Sequence, residues 1–207
     1  HPSKSIPAEP IRNKADLVAW LGETLDGLNL ERITLAGISF GGWIALSFTM
    51  AEPQCVRKLV LLSPAASFQP LSKQFALRAV LSGVIPTRGM MDSFMKWMGL
   101  DASSDDGVTG PLLDLVWLGG QHFRMQPESR RVTGDVFSDE DLGGVQVPVL
   151  LLIGEDEVIY DASEAMARAR RLIPDLEGEL VPDSKHGMCL SQFQIVNSRV
   201  LDFLNGS

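Results

Sequence analysis

Hydrophobic and polar positions predict alternating helices and strands in the first third of the chain. Apolar residues recur at helical spacing over residues 14–29, with Asn13 placed to cap that helix. A run of strand formers at 32–36 leads through a short turn into a helical pattern at 43–50. Residues 56–62 then form a continuous apolar run, typical of a parallel strand that is covered on both faces. A strand, a helix and a strand in so short a span predict a right-handed βαβ unit.

The same rhythm returns in the last third of the chain. A buried strand is predicted at 145–153, a helix at 162–172, a short strand at 178–182 and an amphipathic helix at 191–204. Together the two ends predict an α/β fold with a mostly parallel sheet and flanking helices.

Residues 67–144 interrupt this alternation and predict a helical insertion, a cap or lid on a core made of 1–66 and 145–207. One stretch is rich in Met and aromatic residues at helical spacing, namely Met90, Met91, Phe94, Met95, Trp97 and Met98. Two further helices are expected around 112–118 and 138–142. The Met-rich stripe is interpreted as the packing face of the cap, part of which could also line an apolar substrate pocket.

Composition and charge exclude some classes of partner. The 207 residues are 45% hydrophobic and 21% charged, with a formal net charge of −8. This balance disfavours nucleic acid and anionic membranes as partners. Cys55 and Cys189 form neither a disulfide framework nor a metal-ligand spacing, so no metal site is expected. Because the sequence shows no signal peptide and no apolar run of membrane-spanning length, we expect a cytoplasmic protein.

The turn between the first predicted strand and the next helix carries the strongest chemical motif. Residues 37–41 read Gly-Ile-Ser-Phe-Gly and match the G-x-S-x-G nucleophile elbow. Such a turn is too sharp for large neighbouring side chains, so Gly37 and Gly41 are expected to flank Ser39 for steric reasons. The N–H of Phe40, at the start of the helix, is placed to stabilise a developing oxyanion. The alternative is a strand–turn–helix with an incidental serine.

A serine nucleophile needs a base, and three histidines are available. His186 follows a predicted strand directly, where parallel sheets collect functional residues, and is the candidate base. His1 lies at the chain start, and His122 falls in the insertion, where a structural role is favoured. The third member, an acid, should follow a strand between the serine and the histidine. The loop after Gly154 offers four candidates, and residue chemistry alone does not choose among Glu155, Asp156, Glu157 and Asp161.

These motifs resemble the α/β-hydrolase superfamily, specifically its cap-bearing, esterase-like members. The resemblance covers the whole chain and includes the order serine, acid, histidine. Aligning Gly154 and Ile159 with the family's acid loop places Glu157 at the acid position, where the family usually has Asp. Asp156 is the first alternative and Asp161 the second. The resemblance implies hydrolysis of carboxylic esters with an apolar part, through an acyl-enzyme, without metal or organic cofactor. A serine at the elbow disfavours dehalogenase and epoxide-hydrolase chemistry.

The sequence departs from that family before the elbow. Only 38 residues precede Ser39, so the family's first strands and its second oxyanion donor have no counterpart. The strand at 32–36 would be a bare apolar sheet edge, so a homodimer or strand exchange is expected there. A natural short form, a truncated version and a proteolytic fragment are all compatible with this departure.

The sequence leaves two other classes of function open. A thioesterase, lactonase or C–C bond hydrolase would use the same three residues. A catalytically impaired relative or fragment could act as a binding module.

Overall fold

In the part of the chain that the structure describes, four parallel strands form one sheet in the order in which they occur in the sequence. The computed structural model describes residues 10–101, 103, 107–122 and 132–206. The strands are β1 (Ile33–Ile38), β2 (Val56–Leu62), β3 (Val149–Gly154) and β4 (Leu176–Val181). All three neighbouring pairs are parallel, and helices lie in each connection. The α/β class and the mostly parallel sheet are therefore confirmed.

The helices of the two ends are α1 (Lys14–Gly27), α2 (Phe40–Ala51), α7 (Ala162–Leu172), α8 (Met188–Ser191) and α9 (Phe193–Asn205). All of them match predicted segments closely except the short α8, which was not predicted. Asn13 caps α1 as expected, because its Oδ1 accepts a hydrogen bond of 3.0 Å from the Asp16 N–H. Helix α2 begins directly after Ser39, earlier than the hydrophobic pattern indicated.

Between β2 and β3, the described residues form four helices. They are α3 (Lys73–Val84), α4 (Arg88–Trp97), α5 (Thr109–His122) and α6 (Asp139–Gly143). Helices α4, α5 and α6 correspond to predicted ones, whereas α3 was not predicted. Phe94 of the Met-rich stripe contacts the rings of Phe75 and Trp97, and Met98 is buried in the core, so part of the stripe packs internally. The division into core and cap stays a prediction.

The sheet carries apolar clusters on both faces because successive residues of a strand point to opposite sides. On one face, β2 and β3 pack against α1, α2 and α7, which contribute Leu17, Phe48 and Ala165 among others. On the other face, the remaining β2 and β3 side chains pack against α8 and α9 through Met188 and Phe203. Every residue of β3 is buried, as a central strand requires.

Strand β1 lies at one end of this sheet. Among the described residues it pairs with β2 alone, and the alternate positions Thr34, Ala36 and Ile38 are exposed. Strand β1 is therefore a sheet edge in the described part of the chain, as predicted. The pairing of a second chain with this edge stays a prediction. In that same part, no helix has both the length and the apolar character needed to cross a membrane.

Candidate active site

Ser39 occupies a sharp turn between β1 and α2. Its backbone has φ 52° and ψ −122°, a conformation that costs a non-glycine residue about 1–3 kcal/mol. Hydrogen bonds on both sides hold the turn. The Ser39 N–H donates to the Leu62 carbonyl at 3.0 Å, and the Ser39 carbonyl accepts from Gly42 and Ala65 at 3.0 Å each. These hydrogen bonds from the end of β2 and the start of α2 hold the Ser39 backbone in its strained conformation.

Steric contacts require glycine at some positions around the turn and not at others. A Cβ on Gly37 would lie 2.3 Å from the Gly41 carbonyl oxygen, so only glycine fits there. The expected steric role of Gly41 is wrong, because a Cβ at that position would meet no described atom within 4 Å. Gly41 lies one position into the helix and its side-chain direction faces open space. The second steric constraint falls on Gly42, whose Cβ would lie 2.8 Å from that of Pro64.

His186 connects Ser39 to Glu157. The Nε2 atom lies 2.9 Å from Ser39 Oγ, and Nδ1 lies 3.0 Å from Glu157 Oε2. Because an ionised carboxylate can only accept, Nδ1 carries the proton and Nε2 accepts from the serine hydroxyl. The structure therefore brings the three sequence-predicted residues into one hydrogen-bonded chain.

The Glu157 carboxylate is held from both of its oxygens. Its side chain is 0% exposed and that of His186 is 10% exposed. Oε1 accepts from the N–H groups of Val158 and Ile159 at 2.9 and 3.1 Å. Burial opposes ionisation, but the hydrogen bond and charge of His186, the Ile159 amide and the Ser63 hydroxyl outweigh it. The pKa of Glu157 consequently lies below its ordinary value.

Two adjacent loops carry Glu157 and His186, one after β3 and the other after β4. The Asp156 N–H donates to the Ser184 carbonyl at 2.9 Å and ties the loops together. A Cβ on Gly154 would lie 2.5 Å from the Lys185 carbonyl oxygen, so this close approach requires glycine. Both loops follow the carboxyl ends of neighbouring parallel strands, where the elbow after β1 also lies.

The remaining acids and histidines that the sequence offered as candidates lie elsewhere or have other roles. Asp156 is exposed, and it is its backbone amide that contributes to the loop. Asp161 caps α7 by accepting from the Glu164 N–H at 2.8 Å. His122 is exposed at the end of α5. His1 lies outside the described residues.

The N-terminus of α2 presents the predicted oxyanion donor and an aromatic surface. Phe40 is the first residue of α2, so its N–H has no helical acceptor. Phe40 is 38% exposed, and its ring stacks on that of Trp43 with the centroids 5.4 Å and the planes 8° apart. The Trp43 Nε1–H donates to the Asp135 carbonyl at 3.0 Å and anchors this stack.

Sequence reasoning missed the contact that supports the His186 loop. The Gly187 N–H donates to the Met98 carbonyl at 2.9 Å, and a Cβ on Gly187 would lie 2.7 Å from Leu100 Cδ2. Gly99, between them, has φ 92°. The end of α4 therefore packs directly on the loop that carries the histidine. Only the His-Gly pair itself was visible in the sequence, since its partner is remote along the chain.

No cluster of three or more His, Cys, Asp or Glu side chains within the described ranges has the geometry to hold a metal ion.

Comparison with known proteins assigns the chain to a family. A model of the alpha/beta hydrolase family matches residues 5–197. The chain belongs to the alpha/beta hydrolase family. Among the relatives of this hydrolase is the carboxylesterase YbfK of Bacillus subtilis, 36% identical over 211 residues, with 99% of this chain and 68% of the relative covered. The uncharacterized carboxylesterase nap of the same species is 32% identical over 207 residues, covering 98% of this chain and 67% of the relative.

A solved structure supports the same family assignment for this hydrolase. The crystal structure of the carboxylesterase CesB (YbfK) from Bacillus subtilis superposes with a TM-score of 0.83 at 33% identity. It covers 99% of this chain and 71% of the other chain. The chain is therefore a carboxylesterase-like member of the family, and it spans about two thirds of the length of the curated relatives that it matches.

Proposed function

We propose that this hydrolase cleaves carboxylic esters through an acyl-enzyme on a Ser39–His186–Glu157 triad. The observation that carries the proposal is the continuous chain of hydrogen bonds, 2.9 Å from Ser39 to His186 and 3.0 Å from His186 to Glu157. The carboxylesterase names of relatives at 32% and 36% identity support an ester as substrate.

Each triad member has one role. Ser39 Oγ attacks the acyl carbon while His186 Nε2 takes its proton. The imidazolium that forms is stabilised and oriented by Glu157, and it then protonates the leaving alcohol. A water molecule, activated by the same histidine, releases the acid and restores Ser39. The burial of Glu157 strengthens its interaction with His186, because little solvent screens the pair.

The oxyanion is stabilised at the start of α2. The Phe40 N–H and the positive end of the helix lie beside Ser39, where negative charge develops on the carbonyl oxygen. One donor of such a site contributes about 100- to 1,000-fold in rate. We therefore expect turnover to depend strongly on whether a second donor is supplied from outside the described residues.

The substrate class follows from the surface around Ser39. Its two neighbours, Ile38 and Phe40, are 46% and 38% exposed and offer apolar area directly beside the nucleophile. We propose a small ester with an apolar part. The chemistry needs side chains alone and no cofactor. We further propose a cytoplasmic location.

Hydrolysis of p-nitrophenyl esters tests this function. We expect a burst of nitrophenolate in proportion to enzyme, its loss in Ser39→Ala, and its retention in Ser47→Ala, a buried serine that only donates to the Trp43 carbonyl within α2. Thioester, lactone and vinylogous 1,5-diketone substrates in the same assay separate the alternatives. A folded protein that binds esters without releasing nitrophenolate would favour the binding-module alternative.

The exposed edge of β1 supports a proposal about assembly. We propose that a second copy pairs with this edge, because unpaired strand N–H and C=O groups attract another strand. Light scattering should then give twice the 22.6 kDa of the chain, and Thr34→Lys should reduce it. A concentration-independent monomer would refute the pairing.

A further inference from the structure

A stack of three aromatic rings leads from the residue after the nucleophile to the end of the connection between β2 and β3. The ring of Trp43 lies between the other two, with centroid distances of 5.4 Å to Phe40 and 5.9 Å to Phe137. Trp43 and Phe137 are buried, whereas Phe40 is exposed beside Ser39. The stack therefore joins the core of the protein to the apolar surface next to the proposed nucleophile.

Trp43 is held in one orientation within this stack. Its Nε1–H donates to the Asp135 carbonyl at 3.0 Å. The backbone of the same segment lies close to the indole, because a Cβ on Gly134 would be 3.3 Å from Trp43 Cδ1. An indole that is hydrogen-bonded at one edge and stacked on Phe137 cannot tilt without losing one of these contacts. Residues 134–137, here called the return segment, therefore fix the orientation of Trp43.

Arg168 of α7 fastens the return segment to the core. Its guanidinium donates to the carbonyls of Phe137 and Phe68 at 2.7 and 2.8 Å, and to the Asp139 carboxylate at 2.7 Å. The Phe137 N–H also donates to the Ser67 carbonyl at 3.2 Å. Phe68 follows β2 closely and Phe137 lies on the return to β3, so one arginine holds both ends of the predicted insertion against α7.

We propose that Trp43 is a positioning residue for Phe40, and that the Phe40 ring held in this way selects the apolar part of the ester. The indole covers one face of the phenyl ring, with the two planes 8° apart, and Phe40 is still exposed next to Ser39. A ring that is already fixed binds an apolar chain more tightly than a mobile one, because less conformational entropy is lost on binding. This inference rests on the proposed function.

The triad is held by contacts other than the indole. Ser39 and Glu157 are joined through His186, and the two loops after β3 and β4 carry the acid and the base. The Ser39 backbone is held by backbone groups at the end of β2 and the start of α2. A change of the Trp43 side chain should therefore alter selection among esters and leave reactivity toward the shortest ester unchanged.

The test compares covalent labelling of Ser39 by two fluorophosphonates that differ in their alkyl chain, ethyl or octyl. We expect the octyl compound to label the parent faster. Trp43→Phe keeps a ring in the stack but loses the hydrogen bond to Asp135. Its preference for octyl should fall by about 2- to 10-fold, the usual effect of one hydrogen bond, at an unchanged ethyl rate. For p-nitrophenyl octanoate, KM should rise while kcat stays the same.

Two further variants act on other parts of the same chain of contacts. Phe40→Leu removes the selecting ring and should reduce the octyl preference at least as much as Trp43→Phe. Arg168→Lys loosens the return segment, because one ammonium group cannot replace the forked guanidinium, and it should reduce the preference in the same direction. It carries the test if Trp43→Phe does not fold. Combined with Trp43→Phe it should add little, because both changes act through the return segment.

Trp20→Phe and Arg171→Lys are the matched controls and should keep the parent preference. Trp20 is exposed on α1, and Arg171 contacts Asp139 at 3.4 Å with a side chain that is 63% exposed. A parent without a chain preference, equal slowing of both labels in Trp43→Phe, or an unchanged preference in the folded variants would overturn the role of Trp43. A folded parent that neither compound labels would contradict the proposed function itself, and this inference would fall with it.

Discussion

The Nδ1 atom of His186 lies 3.0 Å from Oε2 of Glu157, a carboxylate with no solvent exposure. Two backbone amides hold its other oxygen. The histidine ring therefore has one favoured tautomer, with its free nitrogen directed to Ser39.

Replacing Glu157 by Gln should separate this role from mere packing. The amide keeps the shape but removes the charge that stabilises the imidazolium, so we expect kcat to fall by about 10⁴-fold. Ester hydrolysis measures the loss. Asp156→Asn is the matched control, because that side chain is exposed on the same loop, and it should retain full activity. Equal losses in both variants would mean that the acid is misassigned.

Stability should depend on acid pH through Glu157. Its pKa in the folded state lies below the ordinary value of 4.5, so the unfolded chain binds more protons in acid. The contribution is therefore complete above about pH 4.5 and is lost as the pH falls through the folded pKa. Urea unfolding at a series of pH values should show a shallower acid decline in Glu157→Gln than in the parent. Parallel curves would show that Glu157 does not contribute.

The two glycines that flank the elbow should respond oppositely to alanine. In Gly37→Ala the new Cβ meets the Gly41 carbonyl oxygen, so we expect a loss of about 3 kcal/mol or more in the free energy of unfolding. In Gly41→Ala the methyl enters open space on a helix, so stability should stay the same or rise by up to about 1 kcal/mol. Urea denaturation measures the free energy of unfolding of both variants. A large loss in Gly41→Ala would show that Gly41 has the steric role first expected for it.

The contact between α4 and the His186 loop should influence the reactivity of Ser39. Gly187→Ala places a Cβ against the Leu100 side chain and displaces the loop, although φ at this position is an ordinary −79°. We expect slower labelling of Ser39 and partial recovery in the double variant Gly187→Ala, Leu100→Ala, which removes the obstructing side chain. Labelling at the parent rate in Gly187→Ala would mean that the loop does not depend on this contact.

The sequence predicted the strands well because the pattern of each depends on local residues. The continuous apolar run at 56–62 and the buried run ending at 153 became the central strands β2 and β3. Helix α3 was missed although Ser72 and the apolar residues Leu77, Leu81 and Val84 gave a usable signal. Those apolar side chains are exposed, so the helix lacks the buried face that usually makes such a pattern convincing.

The candidate site was only partly accessible from local chemistry. Ser39 and His186 follow from their motifs, whereas the acid needed a family resemblance. Asp161 could have been set aside, because Glu164 three residues later indicates a helix cap. Asp156 and Glu157 are adjacent, and only the folded loop decides which carboxylate points inward. Likewise, the approach of Pro64 to Gly42 is a long-range contact that no local pattern contains.

Covalent labelling of the folded chain with a fluorophosphonate, read by intact mass and peptide mapping, tests the central claim most directly. We expect one adduct on Ser39, none in Ser39→Ala, strongly slowed labelling in His186→Ala and unchanged labelling in Ser47→Ala. No adduct on the folded parent, or an adduct on another serine, would contradict the assignment of Ser39 as the nucleophile activated by His186.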